Sequence, residues 1–107
     1  MATIAMENPV VTPINVFTVE PANQQRLIDL LVEATEAIMK ELPGFVSASI
    51  HKSADGVRVV NYAQWRSRDD FEAAMNNAEA RAHIAPIMEI AQADPHLYEV
   101  VATAAVS

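Results

Sequence analysis

β-branched and aromatic residues dominate positions 10–19, ending in Val16, Phe17, Thr18 and Val19, and this segment reads as a first strand with Asn15 as its unusual polar member. From Pro21 the pattern changes. Leu27, Leu31, Ala34, Ile38 and Leu42 recur at the helical period, with Arg26, Asp29, Glu33, Glu36 and Lys40 largely on the opposite side, which predicts an amphipathic helix of about five turns. Glu36 and Lys40 form a favourable i, i+4 pair, and Pro43 with Gly44 stops the helix. Two apolar-rich runs, 45–53 and 57–66, flank Asp55 and Gly56, the pair preferred by a two-residue type I′ hairpin. That turn fixes a register: Ile50 opposite Asn61, Ala48 opposite Ala63 and Val46 opposite Trp65 on one face, with Phe45, Ser47, Ser49, His51, Val60, Tyr62 and Gln64 on the other. Ser67 and Asp70 resemble a capping box that opens a short helix through Phe71, Ala74 and Met75 and ends at Asn76 and Asn77. A further helical stretch over 79–91 carries Ile84, Ile87, Met88 and Ala91 on one stripe, with Pro86 expected to kink or restart it. After Asp94 and Pro95, residues 97–106 read as a last strand.

The order β-α-β-β-α-β predicts an α+β fold, a ferredoxin-like split βαβ protomer with a four-stranded antiparallel sheet. Helices cover one sheet face only. The other, with Phe45, Val60 and Tyr62 among Ser47, Ser49 and Gln64, is too apolar for water and too polar for a monomer core, which points to a homodimer packed sheet against sheet.

Composition narrows the function classes. With 107 residues, 51% of them hydrophobic, and two glycines, the chain fits a single domain over 10–107 behind a short tail at 1–9. A domain of this size removes roughly two thirds of its unfolded surface from water, so it needs neither disulfide nor structural metal. The absence of cysteine excludes thiolate zinc sites, iron–sulfur clusters and cysteine nucleophiles. A net charge of −7 argues against nucleic acid and anionic membranes as partners. No apolar run reaches the ~20 residues that span a bilayer, and Met1 to Met6 lacks the basic start of a signal peptide, so a cytoplasmic location is expected.

The candidate chemistry lies on the face of Ala48, Ile50, Asn61, Ala63 and Trp65. Burying the Asn61 amide without partners costs roughly 1–3 kcal/mol, so it needs a hydrogen bond from protein, water or ligand. Two facing alanines between an indole and an amide leave room beneath the helices, in the form of a small-molecule pocket; equally, they permit close helix approach, with Asn61 bonded to backbone. Trp65 reads as core packing or as pocket wall, with an N–H that wants an acceptor. His83 borders the helical stripe near Arg81, as a surface histidine or as a proton-transfer group. His51 and His96 form no chelating pair, no metal motif or phosphate-cradling loop is present, and Met39, Met75 and Met88 read as core filler.

The segments NVFTVEP at 15–21, LPGF at 42–45, VVNYAQWRS at 59–67 and LYEV at 97–100 resemble the antibiotic biosynthesis monooxygenase family, in order and over nearly the whole chain. The resemblance implies a dimeric α+β barrel. It also implies one of two activities. Small oxygenases of aromatic polyketide pathways turn a phenol, anthrone or hydroquinone into a quinone with O₂ as co-substrate and no flavin, haem or metal; Asn61 and Trp65 match their strand motif and Arg81 falls near a functional arginine. Phe71 stands where these enzymes can carry a tyrosine proposed as a proton donor. Haem-degrading oxygenases instead use an Asn/Trp/His triad, and Asn15, Trp65 and His83 occupy similar places, although Ile84, Pro86 and Ile87 replace the basic stretch after their histidine. The site thus implied has Asn61, Trp65, Arg81 and His83 as catalytic residues, with Asn15, Ala48, Ile50, Ala63 and Phe71 binding a small aromatic substrate. A non-catalytic small-molecule-binding dimer of the same fold is the third reading.

Overall fold

The computed structural model describes residues 10–106; the expected tail at 1–9 lies outside them. The elements are β1 (Thr12–Val19), α1 (Gln24–Ala37), β2 (Phe45–Lys52), β3 (Arg58–Trp65), α2 (Arg68–Met75), α3 (Ala78–Ile90) and β4 (Ala91–Tyr98), with single 3-10 turns at Pro21–Asn23 and Met39–Glu41 flanking α1. The four strands form one antiparallel sheet in the order β2-β3-β1-β4, the ferredoxin-like arrangement, with the helices on one face.

α1 is shorter than its apolar period. It stops at Ala37 because Leu42, which precedes Pro43, is held extended (φ −83°, ψ 147°), and the intervening residues tighten into the 3-10 turn. Ser67 caps α2 as expected, its hydroxyl accepting the Asp70 N–H at 3.1 Å. Asn76 caps the end of α2, and Asn77 begins α3, its Oδ1 accepting the Ala80 N–H at 3.0 Å. α3 runs through Pro86 without a restart; the carbonyl that loses its partner there belongs to Ala82, which is exposed to solvent.

The hairpin keeps its predicted register but not its predicted turn. Pairing runs from Ser47↔Gln64 to Lys52↔Val59. Ser53 and Arg58 close the loop (N to O, 3.0 Å), and the Gly56 N–H reaches the Ser53 carbonyl at 3.3 Å. Only Gly56 has positive φ (83°) there, so the type I′ geometry, which needs two such residues, does not form. The register survives because both loops centre between Asp55 and Gly56. Asp55 is instead tied down by its carboxylate, which accepts from the Ser53 hydroxyl (2.6 Å), the Val57 N–H (3.2 Å) and Arg58 Nη1 (3.1 Å).

At the far end of the hairpin the register shifts between Phe45 and Ser47, so Trp65 faces Phe45 and not Val46. This corrects two placements: Phe45 lies on the helix-covered face, and Val46 turns outward, 41% exposed. The shift adjoins Gly44, which adopts φ 86° and accepts the Arg66 N–H at 2.7 Å.

The last strand also differs from the expected 97–106. α3 passes at Ala91 directly into β4, which pairs with β1 from Val19↔Ala91 to Thr12↔Tyr98. Residues 99–106 have no regular structure. Asp94 and Pro95 read as a break, yet β4 is the edge strand, where a residue without an N–H is tolerated.

The buried apolar residues fall into two groups. Phe17, Val19, Leu27, Leu31, Val59, Ile87 and Ala91 pack under α1 and α3, while Ala63, Trp65 and Ala74 form a second cluster by α2. On the outer sheet face Ile14, Val16, Val60 and Tyr62 are half-buried. A polar row there, Thr12, Gln64 and Ser47, is buried, with Thr12 Oγ1, Gln64 Nε2 and Ser47 Oγ unpaired. Among the described residues no helix is long and apolar enough to cross a membrane.

Candidate active site

Between sheet and helices, reaching from one apolar group to the other, lies a cavity of about 500 Å³. Its floor is the inner face of β1 and β3. Asn15 and Asn61 are register partners, so two amides lie side by side on that floor. The Asn15 side chain is pinned: its Oδ1 accepts the Asp94 backbone N–H at 3.1 Å. A backbone N–H can only donate, so the oxygen is committed to β4 and the amide NH₂ remains as a donor. Asn61 Oδ1 is buried and has no hydrogen-bond partner. A buried acceptor left in this state costs roughly 1–3 kcal/mol, and a ligand hydroxyl is one group that would satisfy it.

Next to this amide pair stands an aromatic wall. Trp65 is 2% exposed and is held edge-to-face between Phe45 (centroids 5.3 Å apart, planes at 86°) and Phe71 (6.2 Å, 63°). Ala48 and Ala63, directly opposite each other, supply the space between indole and amide. The helical side adds Leu31, Ala34, Thr35, Met39, Met75, Ile84, Ile87 and Met88, and Ala93, Pro95, His96 and Leu97 of β4 complete the rim, His96 with its Nε2 2.9 Å from Asp94 Oδ1. Thr35 donates its hydroxyl to the Leu31 carbonyl at 2.9 Å and so adds little polarity.

The structure thus brings Asn15, Ala48, Asn61, Ala63, Trp65 and Phe71 together around one cavity. It does not bring in the other three residues implied by the sequence. Ile50 packs against the first apolar cluster instead. Arg81 is exposed on α3 outside the lining, and His83 stands outside it too, with Nδ1 against the Glu79 carbonyl at 2.9 Å. Sequence reasoning missed Phe45, which only the register shift turns inward, and the three methionines, whose spread over three helical segments was the available signal. Among the described residues no group of three or more His, Asp or Glu side chains is placed to hold a metal ion.

An antibiotic biosynthesis monooxygenase family model matches residues 10–86. The chain belongs to that family. It is 43% identical over 100 residues to the tetracenomycin-F1 monooxygenase of Streptomyces glaucescens, covering 94% of this chain and 89% of that protein. Among solved structures it is similar to a monooxygenase from the gene ActVA-Orf6 of Streptomyces coelicolor in complex with nanaomycin D (TM-score 0.82, 25% identity, 94% of this chain and 96% of that one). It is also similar to SnoaB, a cofactor-independent oxygenase from Streptomyces nogalater (TM-score 0.75, 26% identity, 88% and 95%). This antibiotic biosynthesis monooxygenase family member is therefore an enzyme of the oxygenase type.

Proposed function

We propose that the chain is a cofactor-independent monooxygenase that converts a polycyclic phenol of the anthrone or hydroquinone class to a quinone with O₂. The observation that carries this reading is the unpaired Asn61 acceptor beside the donor end of Asn15, on the floor of a mainly apolar, aromatic-walled cavity whose other polar side chains are Thr35 and, at the rim, His96. For an anthrone the overall change is Ar₂CH₂ + O₂ → Ar₂C=O + H₂O. The ring carbon loses two hydrogens and gains one oxygen atom, and the other oxygen leaves as water. An electron-rich substrate anion can itself pass an electron to O₂, so the protein need only bind the rings, orient the oxygen-bearing edge and stabilise negative charge. In this reading Asn61 accepts from the substrate hydroxyl, the Asn15 amide NH₂ donates to its neighbouring oxygen, and Trp65 with Phe45 and Phe71 stacks the rings and keeps water out.

Two features support this over haem degradation. That activity needs Asn15, Trp65 and His83 to face one ligand, and His83 lies outside the lining. The lining also lacks any Lys or Arg to meet haem propionates. The relatives point the same way, toward polyketide-derived aromatics and, for SnoaB, cofactor independence.

The test is oxygen uptake by purified protein with 1,8-dihydroxyanthrone and no added flavin, haem or metal. One O₂ consumed per quinone formed is expected, and Asn61→Ala and Trp65→Phe should each lower kcat about 10²-fold with a smaller change in KM. Rates unmoved by either substitution, together with a haemin Soret shift lost in His83→Ala, would establish the haem reading in its place.

We further infer a homodimer formed through the outer sheet face. The half-buried Ile14, Val16, Val60 and Tyr62 and the unpaired row of Thr12, Gln64 and Ser47 support this, since a second copy offers both apolar cover and hydrogen-bond partners.

A further inference from the structure

All three methionines among the described residues, Met39, Met75 and Met88, line this one cavity. They do so from the helical side only: the 3-10 turn after α1, the last residue of α2, and α3. The sheet side is stiff by comparison. Asn15 is pinned by the Asp94 N–H, and Trp65 is clamped between two phenyl rings. Opposite them stand unbranched thioether side chains, each with three rotatable bonds beyond the backbone, which refill irregular space without strain. The three are also graded in depth. Met39 and Met75 pack against the Trp65 cluster, whereas Met88 is 50% exposed at the rim, close to where Leu97 is 39% exposed.

We propose that Met39, Met75 and Met88 form an adaptable roof that lets the cavity accept planar hydroxylated aromatics of different ring number, while the sheet floor alone sets the orientation of the oxygen-bearing edge. The proposal rests on the phenol-oxidising reading for the class of ligand. A fixed polar wall facing a deformable apolar one discriminates between hydroxyl patterns and hardly between outlines, because misplacing a hydroxyl leaves a buried amide unpaired while an extra ring only displaces methyl-sulfur groups. A short ligand is gripped by Met39 and Met75; a longer one moves Met88 aside at the rim.

The experiment titrates the full chain with 1,8-dihydroxynaphthalene, 1,8-dihydroxyanthraquinone and a dihydroxytetracenequinone, read by quenching of Trp65, the single tryptophan. Wild-type Kd values should agree within about tenfold, and Met39→Ile/Met75→Ile should spread them to about a hundredfold by stiffening the roof. Protein with norleucine in place of methionine keeps unbranched, flexible chains and should retain the narrow range. The proposal is overturned by a wild type that already spans a hundredfold. It is equally overturned by a Met→Ile protein with unchanged melting and an unchanged range, or by a norleucine protein that discriminates like the Ile variant. Quenching by none of the three ligands removes the phenol reading and this roof with it. Narrow-range binding without turnover of dihydroxyanthrone removes the oxidation alone and leaves the roof standing.

Discussion

Ala63 sits at the meeting point of the two apolar groups, opposite Ala48 and between Asn61 and Trp65, and its small side chain holds the cavity open. Ala63→Leu therefore adds apolar volume to a space that already exists instead of overpacking a filled core. Melting temperature should hold or rise by a few degrees, while affinity for 1,8-dihydroxyanthraquinone falls at least about tenfold. Retained affinity with an intact fold would place the ligand elsewhere. This much of the site was legible in the sequence, because alternation along two strands of known register states which residues share a face. The Asn15–Asp94 clamp was not, since it joins residues far apart in the chain through a strand whose start the sequence concealed. Nor was the role of the methionines, because a thioether at helical spacing reads the same whether it fills a core or walls a cavity.

The elements that frame the cavity depend on two turns. Gly44 takes φ 86° at the start of β2, and a Cβ added there would collide with the Asp70 side chain. Gly44→Ala should destabilise by about 2 kcal/mol or more, and should also disturb Phe45 and Trp65, which denaturant melts and indole fluorescence would register together. At the other end of the hairpin, the Ser53 hydroxyl, followed by the Val57 N–H, holds the Asp55 carboxyl below its usual 3.8. A lowered folded pKa contributes stability above 3.8 that is lost as pH falls through the lowered value. The difference in urea midpoint between wild type and Asp55→Asn should thus be present at neutral pH and vanish in acid. A difference independent of pH would mean that the carboxylate's charge has no part in the turn. The hairpin also shows how elements become legible by halves. Asp55 and Gly56 correctly located its centre, and with it the register, but the carboxylate contacts that select a longer loop depend on Ser53 and Arg58 acting jointly. Likewise the helical period was read correctly through Ala37 and then overrun, because the restriction imposed by Pro43 acts on residues before it.

At the scale of the whole molecule, the proposed homodimer rests on the outer sheet face. Light scattering at micromolar concentration should give twice the chain mass of 11.7 kDa, and Tyr62→Glu, which places a charge among Ile14, Val16 and Val60, should shift the protein toward monomer. A wild-type monomer at that concentration would remove the sheet-to-sheet interface. The fold's layers were legible from element order alone. That β4 follows α3 without a loop was not, since Asp94 and Pro95 carry the usual signature of a turn. The same proline has a consequence for the behaviour of the chain in crowded or concentrated solution. An antiparallel sheet has two open edges, each a template on which a foreign strand can grow toward fibrillar aggregates. Here β4 carries Pro95, which offers no N–H to an incoming backbone, and β2 carries a register shift between Phe45 and Ser47 that twists its ladder out of line, with Lys52 charged at its end. Both borders are blunted against open-ended growth, which leaves the face of the sheet as the surface for the proposed dimer, a twofold contact of the kind that closes on itself and stops.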